Sequence, residues 1–422
     1  MSPRPPSPHT PWNFITLALH QALMRIGWIF KTESVIMPLV LDTLGGTAWM
    51  RGALPMLNRL GQSLPPLAAV RWVARRRHYK YFLAGCGGLM ASTFLLLAAI
   101  WRDPDRQSGW LAWVFLGLYL AFFVGVGLHQ VAFSTLSAKL VAVRQRGRLL
   151  FQANLWGGLG AIGCAWFLIR PWLQRDHAGF QTIFMFAGLL FGLAALTALA
   201  LREPARVLES APHNSASALS QIGTALRTDR NLRTLALVAI LFGLSYSLFP
   251  HYQSLGRARL QLQFADLVPW MIAQNLGVTL FSFPIGWVAD RFGNRLALAV
   301  LLVGSVAAPL LAVALAHRGA VGALPFALVF LLLGMMPLTM RIVTNLALEL
   351  AEPERQPLYV SVANLALSLP VVGLSLLVGW LIDLAGYEWC FLAVAAGLVL
   401  GLFLVFQVAE PRHKIWDNAG SG

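Results

Sequence analysis

The chain has 422 residues, of which 58% are hydrophobic and only 12% charged, with a formal net charge of +15. This composition excludes a water-soluble globular domain, which would carry charged helix faces and long polar loops. The charges sit in short clusters between apolar runs of about 20 residues or more, each long enough to cross about 30 Å of hydrocarbon as a helix. The alternating ten-residue strands of an outer-membrane barrel are absent. The expected class is an all-α polytopic membrane protein of about twelve spans.

In chain order, Met1 to Trp12 is Pro-rich and leads into an apolar helix without an A-x-A-like cleavage site, so no cleaved signal is expected. Helices are expected at 13–41, 48–74, 81–101, 109–138, 149–170 and 179–201, then at 233–255, 266–289, 295–316, 321–348, 357–384 and 388–408. Cys86, Cys164 and Cys390 lie inside apolar segments and read as small buried residues. The stretch 202–232 is polar, with Leu219, Ile222 and Leu226 spaced for an amphipathic helix at the membrane surface. It reads as a linker between six-helix halves at 1–201 and 233–422.

Twenty Lys and Arg fall on the side of the N-terminus, among them Arg71, Arg75, Arg76, Arg77 and Lys80, against eight on the other. The positive-inside rule then places both termini and the linker in the cytoplasm. The basic charge thus reflects topology, and no nucleic-acid partner is expected. Arg far outnumbers Lys, a compositional association with bacterial origin, so a bacterial inner membrane is expected.

Two loops recur in corresponding places. Arg71-Trp72-Val73-Ala74-Arg75-Arg76 follows the second helix, and Gly286-Trp287-Val288-Ala289-Asp290-Arg291 follows the eighth. Arg146-Gly147-Arg148 precedes Asn154 as Arg355 precedes Asn364. Parallel repeats of this kind are a transporter device. The run Gly286 to Arg295 resembles the signature loop of the major facilitator superfamily, with Gly286, Asp290, Arg291, Gly293 and Arg295 in the motif positions. Gly61 to Pro65, Pro250-His251-Tyr252 and Glu354 to Tyr359 are similar to a poorly characterised bacterial permease branch. The resemblance implies a twelve-helix fold whose first, fourth, seventh and tenth helices line a central cavity. It also implies a cytoplasmic latch at Asp290, made in one state of alternating access and broken in the other. The first-half copy departs from the pattern, with Arg71 for Gly and Arg75 for Asp.

Charge inside a membrane faces a cavity or a partner. On the first helix His20, Gly27, Lys31 and Ser34 share one face, while Glu33 is turned about 200° from Lys31. Both reach one cavity only if the helix rotates or unwinds. Lys31 either lines that cavity or snorkels to the outer edge. Glu33 is the one carboxylate placed well inside the bilayer, as a proton-coupling site or a fixed ion pair. Arg341, about 12 Å deeper than Glu349, and Arg59 are candidates for an anionic group, or else structural pairs. His129, Gln130, Tyr246 and Tyr252 add candidate hydrogen bonds, with a backbone carbonyl as the other partner for His129. His251 reads as wet, near the outer end. Gly157, Gly158 and Gly160 read as close-packing positions, and Asn154, Asn364, Gln274 and Asn275 as helix–helix contacts.

No metal-ligand cluster, nucleophile elbow or catalytic carboxylate pair is present, so neither an enzyme nor a cofactor is expected. The expectation is a secondary transporter moving a small solute by alternating access and coupled to protons. Its in-membrane excess of cations favours an anionic or zwitterionic solute. Multidrug efflux and lipid translocation are the alternatives within the class, and a non-transporting receptor or assembly subunit is the alternative outside it.

Overall fold

The computed structural model describes residues 10–74, 78–101, 109–175, 177–204, 218–318 and 322–410. Arg75, Arg76 and Arg77 of the first-half loop and residues 205–217 of the 202–232 stretch lie outside them. The described residues form helices throughout. In chain order these are α1 (Thr10–Ile29), α2 (Ile36–Thr43), α3 (Ala48–Ala74), α4 (Tyr79–Ile100), α5 (Trp110–Leu140) and α6 (Val143–Cys164). Then come α7 (Arg170–Leu173), α8 (His177–Leu199), α9 (Ala218–Thr228), α10 (Arg230–Ser245), α11 (His251–Leu260) and α12 (Val268–Phe292). The chain continues with α13 (Asn294–His317), α14 (Ala323–Leu333), α15 (Met336–Leu350), α16 (Gln356–Ala385) and α17 (Tyr387–Val405). Among the described residues nine helical stretches are long and apolar enough to cross a membrane. The other three crossings are read from α1 with α2, from α3 with its arginines, and from α6 through α7.

Three of the expected spans are interrupted, and local chemistry gives the reason. The first breaks between Ile29 and Ile36. Phe30 and Lys31 donate to Gly27 and Trp28, three residues back, which tightens and ends α1. Thr32 then accepts from the Ile36 amide to start α2. The seventh breaks at Tyr246–Leu248 ahead of Pro250, which has no N–H to continue the ladder. The tenth breaks at Gly334 and Met335, ahead of Pro337. Gly334 lies against the backbone of Gln274, Gly277 and Val278 on α12, an approach that a side chain would block.

The chain divides into two compact units. Unit 1 is Met1–Gly46, Leu57–Pro212 and Phe264–Val268; unit 2 is Thr47–Met56, His213–Gln263 and Pro269–Gly422. The start of α3 therefore groups with unit 2 and the rest with unit 1. In unit 1, α4 packs on α5 and α8, and α1 packs on α6 and α8. Phe94, Phe122, Phe184 and Phe191 interlock at its centre. Gly157 and Gly160 on α6 do pack closely, against Arg25 and Ile26 of α1. In unit 2, α10 packs on α16 and α17, and α13 on α14, α15 and α17. There Trp270 stacks on Phe326 and Phe330. Bulky apolar side chains such as Phe151, Trp156, Phe167, Phe283, Trp389 and Phe403 remain exposed, as expected of helices facing lipid.

In the 202–232 stretch, α9 leaves Ile222 and Leu226 half-buried and Gln221, Thr224 and Arg227 exposed, which is the expected amphipathic pattern. The Leu219 side chain lies outside the described residues.

The units also end alike. Glu203 accepts from the Lys80 backbone amide at 2.9 Å, and Glu410 accepts from the Arg295 backbone amide at 2.9 Å. Each carboxylate thereby satisfies an orphan donor at a helix start, α4 in one case and α13 in the other. Asn13 exchanges two hydrogen bonds with Arg202, and Asn231 accepts from Ala409.

Candidate functional site

The interruption of the first span creates the main polar site. Because Phe30–Val35 is unwound, Lys31 and Glu33 face each other across 2.7 Å instead of pointing apart. The Lys31 ammonium is fully buried, 3.6 Å from the Trp28 ring centroid and 4.2 Å from that of Phe123. A desolvated cation over aromatic faces gains more than a wet one. The other Glu33 oxygen accepts from the Asn58 amide, whose carbonyl accepts from Gln62. The Gln62 carbonyl in turn accepts from Gln130 at 3.4 Å.

Every amide in this chain donates towards the Glu33 carboxylate, so the dipoles reinforce one another. Five residues from the first break, α3 and α5 thus form one polar track. It starts at an enclosed ion pair and ends at the exposed side chain of Gln130. Of these, Lys31, Glu33 and Gln130 are among the residues expected from the sequence, whereas Asn58 and Gln62, on either side of the charged Arg59, are not. Their four-residue spacing on one helix face was the available signal.

The structure places the other candidates elsewhere. His129 bonds to His20, Nε2 to Nε2 at 2.8 Å, and His20 Nδ1 lies 2.7 Å from the Ala194 carbonyl oxygen. Both rings are buried. Arg25 donates to Asn154 at 3.0 Å, and Arg59 sits half-buried on α3.

In unit 2, the Tyr246 hydroxyl lies 3.0 Å from the Met340 sulfur. Tyr252 is buried edge-on against Phe391 and packs as core. Arg341 follows Met340 on α15 with an exposed side chain. His251 is fully buried, and neither ring nitrogen has a hydrogen-bond partner among the described residues, which corrects the expectation of a wet residue. It lies near Arg51, whose guanidinium donates to the Tyr387 hydroxyl at 3.2 Å.

The loop from Gly286 to Arg295 is a single-residue joint between α12 and α13. Gly293 makes it, at φ +94°, with the Glu410 carboxylate standing where a Cβ would go. Gly286 has open space around its Cβ position, so no close helix approach requires a glycine there. Asp290 and Arg291 are exposed, and the Arg291 guanidinium lies 5.7 Å from the Trp287 ring centroid. Arg295 donates to the Val408 carbonyl at 3.1 Å as well as capping onto Glu410.

Residues 253–421 match the family model of the Major Facilitator Superfamily. No curated protein matches the chain by sequence. Several solved transporters share its fold. A variant of the nucleoside transporter NupG superposes with a TM-score of 0.74 at 13% identity, over 94% of this chain and 100% of its own. A bacterial homologue of the human lysosomal transporter Spinster, inward-facing and unoccupied, gives 0.65 at 14% identity, over 96% and 98%. A variant of the E. coli fucose:proton symporter FucP gives 0.58 at 14% identity, over 95% and 99%.

Proposed function

We propose, from its fold and the family match over residues 253–421, that the chain is a member of the major facilitator superfamily and carries a small polar solute by alternating access, driven by protons. The observation that carries the proposal is the unwound first span, with Lys31, Glu33, Asn58, Gln62 and Gln130 joined in one hydrogen-bonded track. Non-helical backbone at membrane depth is tolerated where it lines a protein cavity, and discontinuous helices mark transporter binding sites. The ion pair has no net charge, and the track ends in an amide. It therefore suits a neutral solute that exchanges hydrogen bonds, such as a nucleoside or a deoxyhexose of the kinds named for NupG and FucP.

A second reading rests on Arg341. Its exposed guanidinium on α15 favours a solute with an anionic or zwitterionic group. The 20-to-8 distribution of basic residues supports a bacterial inner-membrane location with both termini cytoplasmic, and halves at 1–201 and 233–422 around the 202–232 linker.

The test is uptake into proteoliposomes of labelled nucleosides, fucose and small carboxylates, with and without an imposed pH gradient. Gradient-dependent accumulation of a neutral hydroxylated solute supports the first reading. Accumulation of carboxylates alone, abolished by Arg341→Gln, supports the second. Movement of none of them by folded protein rejects both.

A further inference from the structure

The His20–His129 pair stands apart from the polar track, and its geometry fixes where protons sit. A carbonyl oxygen only accepts, so His20 Nδ1, 2.7 Å from Ala194 O, carries a hydrogen. Neutral His20 then has a bare Nε2. His129 Nε2, 2.8 Å away, must supply the hydrogen that joins the rings. Two positions remain for an added proton. On His20 Nε2 it would set two N–H groups against each other and break the pair. On His129 Nδ1 it leaves both hydrogen bonds in place and makes the one between the rings charge-assisted. At Glu33 an added proton instead removes the negative charge that balances the buried Lys31 ammonium.

Resting on the transport reading above, we propose that the His20–His129 pair is the proton-binding site that couples transport, with the added proton on His129 Nδ1. The groups facing the pair suit this role. From α8 they are the Ala194 carbonyl and the Thr197 hydroxyl, 3.4 Å from His20 Nδ1. From α5, the Phe133 ring stacks on both imidazoles at 6.1 Å. The ionisable group acting on His129 is His20 itself. With His20 fully enclosed and His129 4% exposed, a net charge on the pair has no counter-ion on α1, α5 or α8. The protonated pair must therefore favour a conformation that wets or pairs it. That differential between states is what coupling requires. His129 precedes Gln130 in α5, so the same helix carries the proton site and the end of the solute track.

The experiment is histidine ¹⁵N NMR of the full chain in lipid nanodiscs, titrated with acid, for the native protein and His129→Gln. Glutamine keeps an N–H donor towards His20 and cannot hold the proton. The proposal predicts an Nδ1-H tautomer for His20 and an Nε2-H tautomer for His129 near neutrality. On acidification one imidazolium signal appears that His129→Gln lacks. Opposite tautomers, an imidazolium on His20, or a pair that stays neutral while the protein remains folded overturns it. The native spectrum decides the tautomers even if the variant fails to fold. Because this reads protonation without solute, it separates from the uptake panel. A silent pair in a protein that accumulates solute on a pH gradient removes only the pair. A titrating pair in a protein that moves nothing keeps the proton site but removes the transport reading and, with it, the pair's coupling role.

Discussion

Asp383, near the end of α16, caps the start of α3: its two carboxylate oxygens accept from the Ala48 amide at 3.2 Å and the Trp49 amide at 3.3 Å. The contact is backed by glycines on both helices. Gly52 lies against the Ser375 carbonyl, and Gly379 lies against the backbone of Ala48 and Trp49, with no room for a Cβ at either. The Arg51–Tyr387 bond lies beside it. These contacts hold the first turns of α3 to unit 2 while the rest of that helix groups with unit 1.

Removing this cap should loosen the start of α3. Asp383→Ala frees two helix-terminal amides and should cost about 1 kcal/mol, since the carboxylate is exposed. Thermal unfolding of purified protein should show a modest drop. A cysteine placed at Trp49 should react faster with a polar maleimide than in the capped protein. Equal reactivity in both would show that Asp383 does not hold the turn.

Gly293 and Gly45 separate backbone strain from collision. Both have positive φ, +94° and +70°, but Gly45 has open space where Gly293 meets the Glu410 carboxylate. Gly45→Ala should cost about 1 kcal/mol from backbone strain alone. Gly293→Ala should cost more, because Glu410 must also leave the Arg295 amide. Comparable melting temperatures for the two variants would argue against that added term.

The Lys31–Glu33 pair should respond asymmetrically to substitution. Glu33→Gln strands a fully buried ammonium and should destabilise by about 3–5 kcal/mol. Lys31→Met leaves Glu33 with the Asn58 amide and should cost less. The double variant should recover much of the loss, since no charge is left buried. Unfolding of the three proteins in one detergent measures this, and an additive double variant would contradict the pairing.

For the loop at Asp290, the proposed latch predicts that Asp290→Asn shifts the balance between inward- and outward-facing states without loss of fold. Cysteine accessibility from the two sides of the membrane reports that balance. Wild-type accessibility together with wild-type transport would remove Asp290 from gating.

The membrane-spanning architecture was legible because apolar run length is a property of sequence alone. The loop at Gly286–Arg295 was legible because its spacing is characteristic. The breaks were harder to read. Pro250 and Pro337 pointed to two of them, whereas the unwinding at Phe30–Val35 has no proline inside it and depends on how Lys31, Glu33 and Asn58 satisfy one another. The polar track was half legible. Attention to charge selected Arg59 and missed Asn58 and Gln62, whose amides matter through their partners on other helices. The matching carboxylates Glu203 and Glu410 were also missed. Each directly precedes a proline, and that repeated Glu-Pro was the signal. The His20–His129 contact joins positions 109 residues apart, which no spacing rule connects.

The central claim, proton-driven carriage of a polar solute by the track around Glu33, is tested most directly by accumulation in proteoliposomes under an imposed pH gradient. The solute is the one selected from the nucleoside, fucose and carboxylate panel, and native protein is compared with the Asn58→Ala/Gln62→Ala double variant. The account predicts accumulation above equilibrium by the native protein, collapse on adding a protonophore, and at least tenfold weaker uptake by a folded double variant, on the order of 1.4 kcal/mol of lost binding. Uptake that only equilibrates whatever the gradient, or a double variant that accumulates solute as well as the native chain, would contradict it.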